Sequence, residues 1–119
     1  MPVQQVEVAA KAPLATIYYP INVYRLTRED KNVLGAVANV MKDNPNTHYV
    51  LTGWADNYTG TDAINARLRV ARANSVKDAL VKDGVPANKL TTKSGVGNLN
   101  DLGIKYVALD RCVTIEEDK

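Results

Sequence analysis

Asp56 and Arg72 are opposite charges standing on either side of a junction between a loop and a helix. A carboxylate and a guanidinium that converge beside a helix N-terminus can hold a small zwitterion, with Asp56 taking an ammonium and Arg72 a carboxylate in a two-pronged grip. Asn65 lies seven residues before Arg72, two helical turns back, so both side chains leave the helix on nearly the same side and face the Asp56 loop. On spacing alone, an internal pair between Asp56 and Arg72 is the competing reading. Neither reading is catalytic. A hydrolase needs a nucleophile with its base, or a metal with an open position, and the sequence offers neither. A carboxylate beside Arg72 also has its pKa lowered, which is wrong for a general base near neutrality. The expectation is a binding domain with no enzymatic activity, no cofactor and no metal.

The elements that position these residues are legible as a strand, a loop and a helix. Tyr49-Val50-Leu51 leads into a loop of small and polar residues (Gly53, Asp56, Asn57, Thr59, Gly60, Thr61), and a long helix starts near Asp62. On that helix Ile64, Leu68, Ala71, Ser75 and Ala79 share one stripe, predicted to pack on a sheet. It runs to about Asp83, where Gly84 supplies a left-handed stop. Upstream, Ala15 to Tyr19 reads as a first strand that Pro20 ends. Thr27 caps a first helix whose apolar face is Val33, Leu34, Val37, Val40 and Met41, stopped by Asn44-Pro45-Asn46. His48 to Thr52 is the second strand, Leu90 to Ser94 the third, and Tyr106 to Ile115 the last, with Arg111 on its apolar parity. Gly95-Val96-Gly97-Asn98 lacks the Lys-Ser/Thr and the following helix of a phosphate loop. The expected fold class is α+β: a two-layer βαβαββ sandwich, a mixed sheet with both helices packed on one face. Residues 1–12 are expected to form a linker or an edge strand, with Pro13 as a boundary and 13–119 as the domain.

Several stretches in this order resemble the OmpA-like C-terminal domain family. Gly53-Trp54-Ala55-Asp56, then Asn65-Ala66-Arg67-Leu68, then Arg72-Ala73 is similar to the family pattern G-H-T-D followed by N-x-x-L-S-x-x-R-A. Tyr19-Pro20-Ile21-Asn22 resembles its F-D-x-N strand end, and Asp110-Arg111-Cys112-Val113 its closing N-R-R-V. The resemblance extends from about Thr16 to Glu116. It implies noncovalent binding of peptidoglycan through the diaminopimelate of the stem peptide, by a domain tethered to the outer membrane on its periplasmic side. Asp56 then falls on the ligand's ammonium and Arg72 on its carboxylate, with Asn22, Thr59, Asn65 and Arg111 as supporting contacts. Diaminopimelate carries a free amino and a free carboxyl group on its far carbon, the zwitterion that the spacing suggested. Trp54, Ala55, Arg69, Pro20 and Cys112 depart from the pattern, and Tyr58 is one inserted loop residue. The runner-up is a structural or interaction module of the same fold that binds another envelope protein.

Composition narrows the partners further. The 119 residues suffice for one core and one domain. The net charge of +2, with Lys and Arg scattered, argues against nucleic acid. No apolar run reaches membrane-spanning length, and Met1-Pro2-Val3-Gln4 lacks a signal peptide's regions, so any envelope anchor is expected outside this chain. Cys112 is the sole cysteine and is expected to be buried and unreactive. His48 is expected at the surface. Trp54 is expected either beside the ligand loop or in the core, and 116–119 as a solvated tail.

Overall fold

The computed structural model describes residues 14–56, 60–95 and 108–118. The expected linker at 1–12, Thr59 with the inserted Tyr58, the Val96-Gly97-Asn98 loop and the first two residues of the expected last strand lie outside them.

The Thr27 hydroxyl accepts a hydrogen bond from the Asp30 amide and the Asp30 carboxylate accepts one from the Thr27 amide, a closed capping box that starts helix α1 at Arg28–Lys42. Helix α2 spans Asp62–Lys82, opened by the Thr61 hydroxyl on the Ile64 amide and closed before Gly84, whose φ of 103° is the left-handed stop. Lys42 of α1 donates to the Asp83 carbonyl at 2.9 Å, which ties together the C-terminal ends of the two helices.

The strands are β1 (Ala15–Tyr18), β2 (His48–Gly53), β3 (Leu90–Ser94) and β4 (Cys112–Asp118). They form one sheet in the order β1-β4-β2-β3, with β2 and β3 parallel and the other pairs antiparallel. This is the expected mixed sheet and the expected chain order. Tyr49 and Leu51 of β2, with Val113 and Ile115 of β4, meet Leu34, Val37, Ala38 and Met41 of α1 and Val76 and Leu80 of α2 in one core.

Three details differ from the expectation. On α2 the buried residues are Asn65, Arg72, Ala73, Val76 and Leu80, while Ile64 is 42% exposed. The packed stripe is therefore rotated by one residue, about 100°, toward Asn65 and Arg72, which an apolar count leaves out of the stripe because they are polar by type. On α1, Val33 and Val40 lie outside the buried face. Strand β4 begins only at Cys112, after a 3-10 turn over 108–110, and takes in Glu116, Glu117 and Asp118 of the expected tail. These three are exposed, yet they pair with Val50, Tyr49 and His48, since a ladder is held by main-chain groups whatever the side chains meet.

Gly53 marks where α2 crosses the sheet. A Cβ built there would stand 1.8 Å from the Arg69 carbonyl oxygen, a backbone atom with nowhere to go. Gly53→Ala is accordingly expected to lower stability by about 3 kcal/mol through overpacking, read as a fall in the urea midpoint. An unchanged midpoint would mean that α2 can lift from β2 without cost.

Candidate functional site

Asp56 leaves the end of β2 by way of Trp54 and Ala55, and its side chain is 2% exposed. Its Oδ2 receives Arg111 Nη1 at 3.3 Å. The Asp56 carbonyl accepts from Asn65 Nδ2 at 3.1 Å, so the first turn of α2 holds the loop by its backbone. Arg111 reaches Asp56 because β4 runs antiparallel to β2: Gly53 faces Val113 and the Trp54 amide donates to the Cys112 carbonyl at 2.8 Å. Continuing that ladder brings Arg111 alongside the Ala55-Asp56 stretch.

Arg72 is fully buried. Its Nε donates to the Val23 carbonyl at 2.8 Å, its Nη1 to the Trp54 carbonyl at 2.9 Å and its Nη2 to the Pro20 carbonyl at 3.1 Å. Three segments, the two ends of the Pro20–Val23 turn and the exit from β2, thus converge on one guanidinium. Below it lies the Tyr19 ring, with the Arg72 Cζ 5.2 Å from the ring centroid, a cation-π contact. The Tyr19 hydroxyl reaches Ser75 Oγ at 3.0 Å, and Ser75 donates to the Arg72 carbonyl at 2.7 Å. Burial lowers the Arg72 pKa, with the neighbouring Tyr19 opposing that fall.

Asn22 sits in the Pro20–Val23 turn with φ 58°, the Val23 amide donating to the Pro20 carbonyl at 3.2 Å. Asparagine is among the few residues other than glycine that take this left-handed conformation readily. Its structural part is to turn the Pro20 and Val23 carbonyls toward Arg72, while its own side chain is exposed.

Of the expected site residues, the structure brings Asp56, Asn65 and Arg111 into direct contact and places Arg72 and Asn22 one layer away around the Pro20–Val23 turn; Thr59 lies outside the described residues. The internal pair expected as the competing reading is not formed: Asp56 pairs with Arg111, whereas Arg72 is spent on carbonyls. The Arg111 partnership was hidden because it needs the β2–β4 pairing, for which no local sequence signal exists.

The Trp54 ring lies outside the helix-side core. Its indole Nε1 donates to Thr114 Oγ1 at 3.2 Å on the other face of the sheet, and a Cβ at Gly95 would stand 2.4 Å from the ring. What Trp54 gives the site is its carbonyl. Cys112 is buried, and burial pushes its thiol up to about 12, so it is inert near neutral pH. His48 is exposed. Among the described residues no group of three His, Cys, Asp or Glu can hold a metal ion, and no helix is long and apolar enough to cross a membrane.

The sequence profile of the OmpA family matches residues 18–106. The chain belongs to the OmpA family. Members of the OmpA family bind and do not catalyse. Over 77 residues the chain is 39% identical to the probable lipoprotein YiaD of Escherichia coli, covering 65% of this chain and 34% of that protein. It is 36% identical over 73 residues to the peptidoglycan-binding protein ArfA of Mycobacterium tuberculosis, covering 61% of this chain and 22% of ArfA. The chain thus spans about a third or less of the length of these OmpA-family relatives. Among solved structures, the peptidoglycan-associated lipoprotein of Burkholderia pseudomallei superposes with a TM-score of 0.79 at 23% identity, over 87% of this chain and 89% of that one. That likeness shows the fold: the sheet and both helices are those of an OmpA-like domain.

Two predictions come from this geometry. Arg72→Ala strands three carbonyls that now accept from a charged donor, and is expected to cost at least about 3 kcal/mol of folding stability; a denaturation curve matching the parent would show that water replaces the guanidinium. The second concerns alkaline pH. Burial raises Tyr19 from 10.0 to about 12 and Cys112 from 9.0 to about 12. Both protons are released earlier from the unfolded chain, so the stability they contribute is intact below about pH 9 and is lost as pH rises through 12. Melting temperature should fall across that window, and a Tyr19→Phe, Cys112→Ala double variant should fall less steeply.

Proposed function

We propose that this chain binds peptidoglycan noncovalently, through the diaminopimelate of the stem peptide. The observation that carries the reading is the buried Asp56 carboxylate held against a part-exposed Arg111, at the position where the family pattern places its acidic residue. An ammonium on the ligand's far carbon takes the place of Arg111 beside Asp56. The displaced Arg111 guanidinium then meets the ligand's carboxylate, joined by Arg72, which carries five donors and spends three of them on carbonyls. A zwitterion suits the site because each ligand charge replaces one half of an existing ion pair. A ligand bearing only one charge would leave the other buried partner unmatched. Asn65 orients the Asp56 backbone, and Asn22 and Thr59 contribute supporting contacts. Membership of the OmpA family supports a periplasmic site beside the outer membrane.

A second reading, an interaction module that binds another envelope protein, is favoured by one observation: Arg72 is fully buried and already bonded. Pulldown on purified sacculi, with and without free diaminopimelate as competitor, separates the two. Asp56→Ala is expected to lower binding more than tenfold, in keeping with a loss of roughly 2 to 5 kcal/mol for an unpaired buried ligand charge. Asn65→Ala should cost on the order of 1 kcal/mol. A folded Asp56→Ala protein, by circular dichroism, that binds sacculi like the parent would sink the peptidoglycan site and leave the interaction module.

A further inference from the structure

Along β1, β4 and β2 the side chains of Ile17, Val113 and Leu51 enter the helix-side core, so Tyr18, Cys112 and Thr52, which alternate with them, belong to the opposite face of the sheet. Two rows cross that outer face. One is Tyr18, Cys112 and Trp54, set side by side by the Tyr18–Cys112 register and by the Trp54 amide on the Cys112 carbonyl. The other is Thr16, Thr114 and Thr52. We infer that this face is a glycan platform, which takes the amino-sugar strand of the polymer whose peptide is held at Asp56, with sugar rings stacked on Trp54 and Tyr18; the inference rests on the peptidoglycan reading above.

The Trp54 ring is fixed in advance for such stacking. A Cβ at Gly95 would stand 2.4, 2.5 and 2.6 Å from its Cε3, Cδ2 and Cζ3. Nearly equal distances to three consecutive ring atoms mean that a face of the indole, and not its edge, rests on Gly95. On the other side Nε1 is bonded to Thr114, which is only 5% exposed. The indole thus lies flat over the sheet, held from β3 to β4, and turns its second face outward, with the residue partly exposed. A held ring loses little freedom when a ligand stacks on it. The C–H face of a pyranose is the flat apolar partner that such a ring takes, and Tyr18, 51% exposed, presents a second ring with a polar tip. The hydroxyls of Thr16 and Thr52 beside them supply donors and acceptors for sugar hydroxyl and acetamido groups. Together the two rows meet one charge, Lys93 at the β3 edge next to Thr52, which suits an uncharged strand and not a polyanion.

Spacing and placement agree with that occupant. Tyr18 and Trp54 stand two strand spacings apart with β4 between them, roughly 10 Å. A β-1,4-linked strand turns over at each sugar and presents the same face at every second one, at about that interval. Cys112 lies between the two rings, fully buried, and keeps the floor low; the arginine that the family pattern has at this place would rise between them. Trp54 precedes Asp56 by two residues, at most roughly 7 Å of backbone, and an extended peptide of about three residues reaches further than that. Arg111, the partner of Asp56, is the neighbour of Cys112. The row therefore adjoins both halves of the ion pair.

The test titrates the intact chain with N-acetylglucosamine tetrasaccharide, which carries no peptide, and follows the emission of Trp54, the sole tryptophan. A saturable change is expected, with a dissociation constant on the order of 1 mM. Tyr18→Ala alters an exposed side chain and should weaken binding by about fivefold or more. No saturable change with the parent overturns the inference, as does a Tyr18→Ala protein that binds like the parent. So does an emission that shifts with protein concentration alone, since a second copy then covers the face. The reading of Asp56 is judged separately, with a diaminopimelate-containing stem tripeptide in isothermal titration. A tripeptide that fails while the tetrasaccharide binds removes the peptide site and supports the platform; the reverse result removes the platform alone.

Discussion

Among the described residues the fold buries one cation fully, Arg72, and its surroundings are arranged around how that cation is satisfied. Removing a guanidinium from water is expensive unless its donors are met. Arg72 meets the cost with three main-chain carbonyls and an aromatic face, and carbonyls, unlike a carboxylate, bring no opposing charge that would neutralise it. The cation therefore keeps its field while fixing the backbone around it. The turn after β1, the exit from β2 and the middle of α2 are far apart in sequence, and one side chain sets their mutual positions. Tyr19 and Ser75 brace that side chain from beneath.

Asp56 completes this arrangement from the other direction. Its backbone is held by Asn65 and its carboxylate by Arg111, so strand, helix and the entry to β4 each fix one part of the loop. A partly exposed ion pair thus lies beside a buried cation: Arg111 pairs with Asp56, while Arg72 is met by carbonyls. Under the proposed function, a zwitterion would meet both signs already laid out at fixed positions, and little of its binding energy would be consumed in arranging them.

Much of this was legible in the sequence, because its signals are local. The Thr27 cap, the Gly84 stop, the bounds of β3 and the strand-loop-helix passage through Asp56 depend on neighbouring residues and came through directly. What failed depends on distant ones. Asn65 and Arg72 are polar by type but buried by use, and leaving them out of the apolar stripe turned the packed face of α2 by one position. Val33 and Val40 are apolar and yet exposed, which periodicity cannot anticipate when only part of a helix is covered. The Asp56–Arg111 pair needs knowledge that β4 lies beside β2, a fact of topology. Glu116 to Asp118 looked like a tail because their side chains are solvated, while the hydrogen bonds that hold them belong to the main chain.

The position of β4 has a consequence for how the molecule comes into being. It is the last element in the chain and yet it lies between β1 and β2, so neither strand has its central neighbour until residues near 112–118 are available. A chain emerging from its N-terminus can form the β2–α2–β3 unit early, but β1 must wait with an open flank, joined to β2 only through the frame at Arg72. Pairings of such high sequence separation are slow to form and leave unpaired edges in the meantime. The arrival of β4 closes the sheet and delivers Arg111 to Asp56 in the same event. The Asn65 contact and the Arg72 frame come from α2 and precede it, so of the contacts around Asp56 it is the ion pair with Arg111 that waits for the sheet to close.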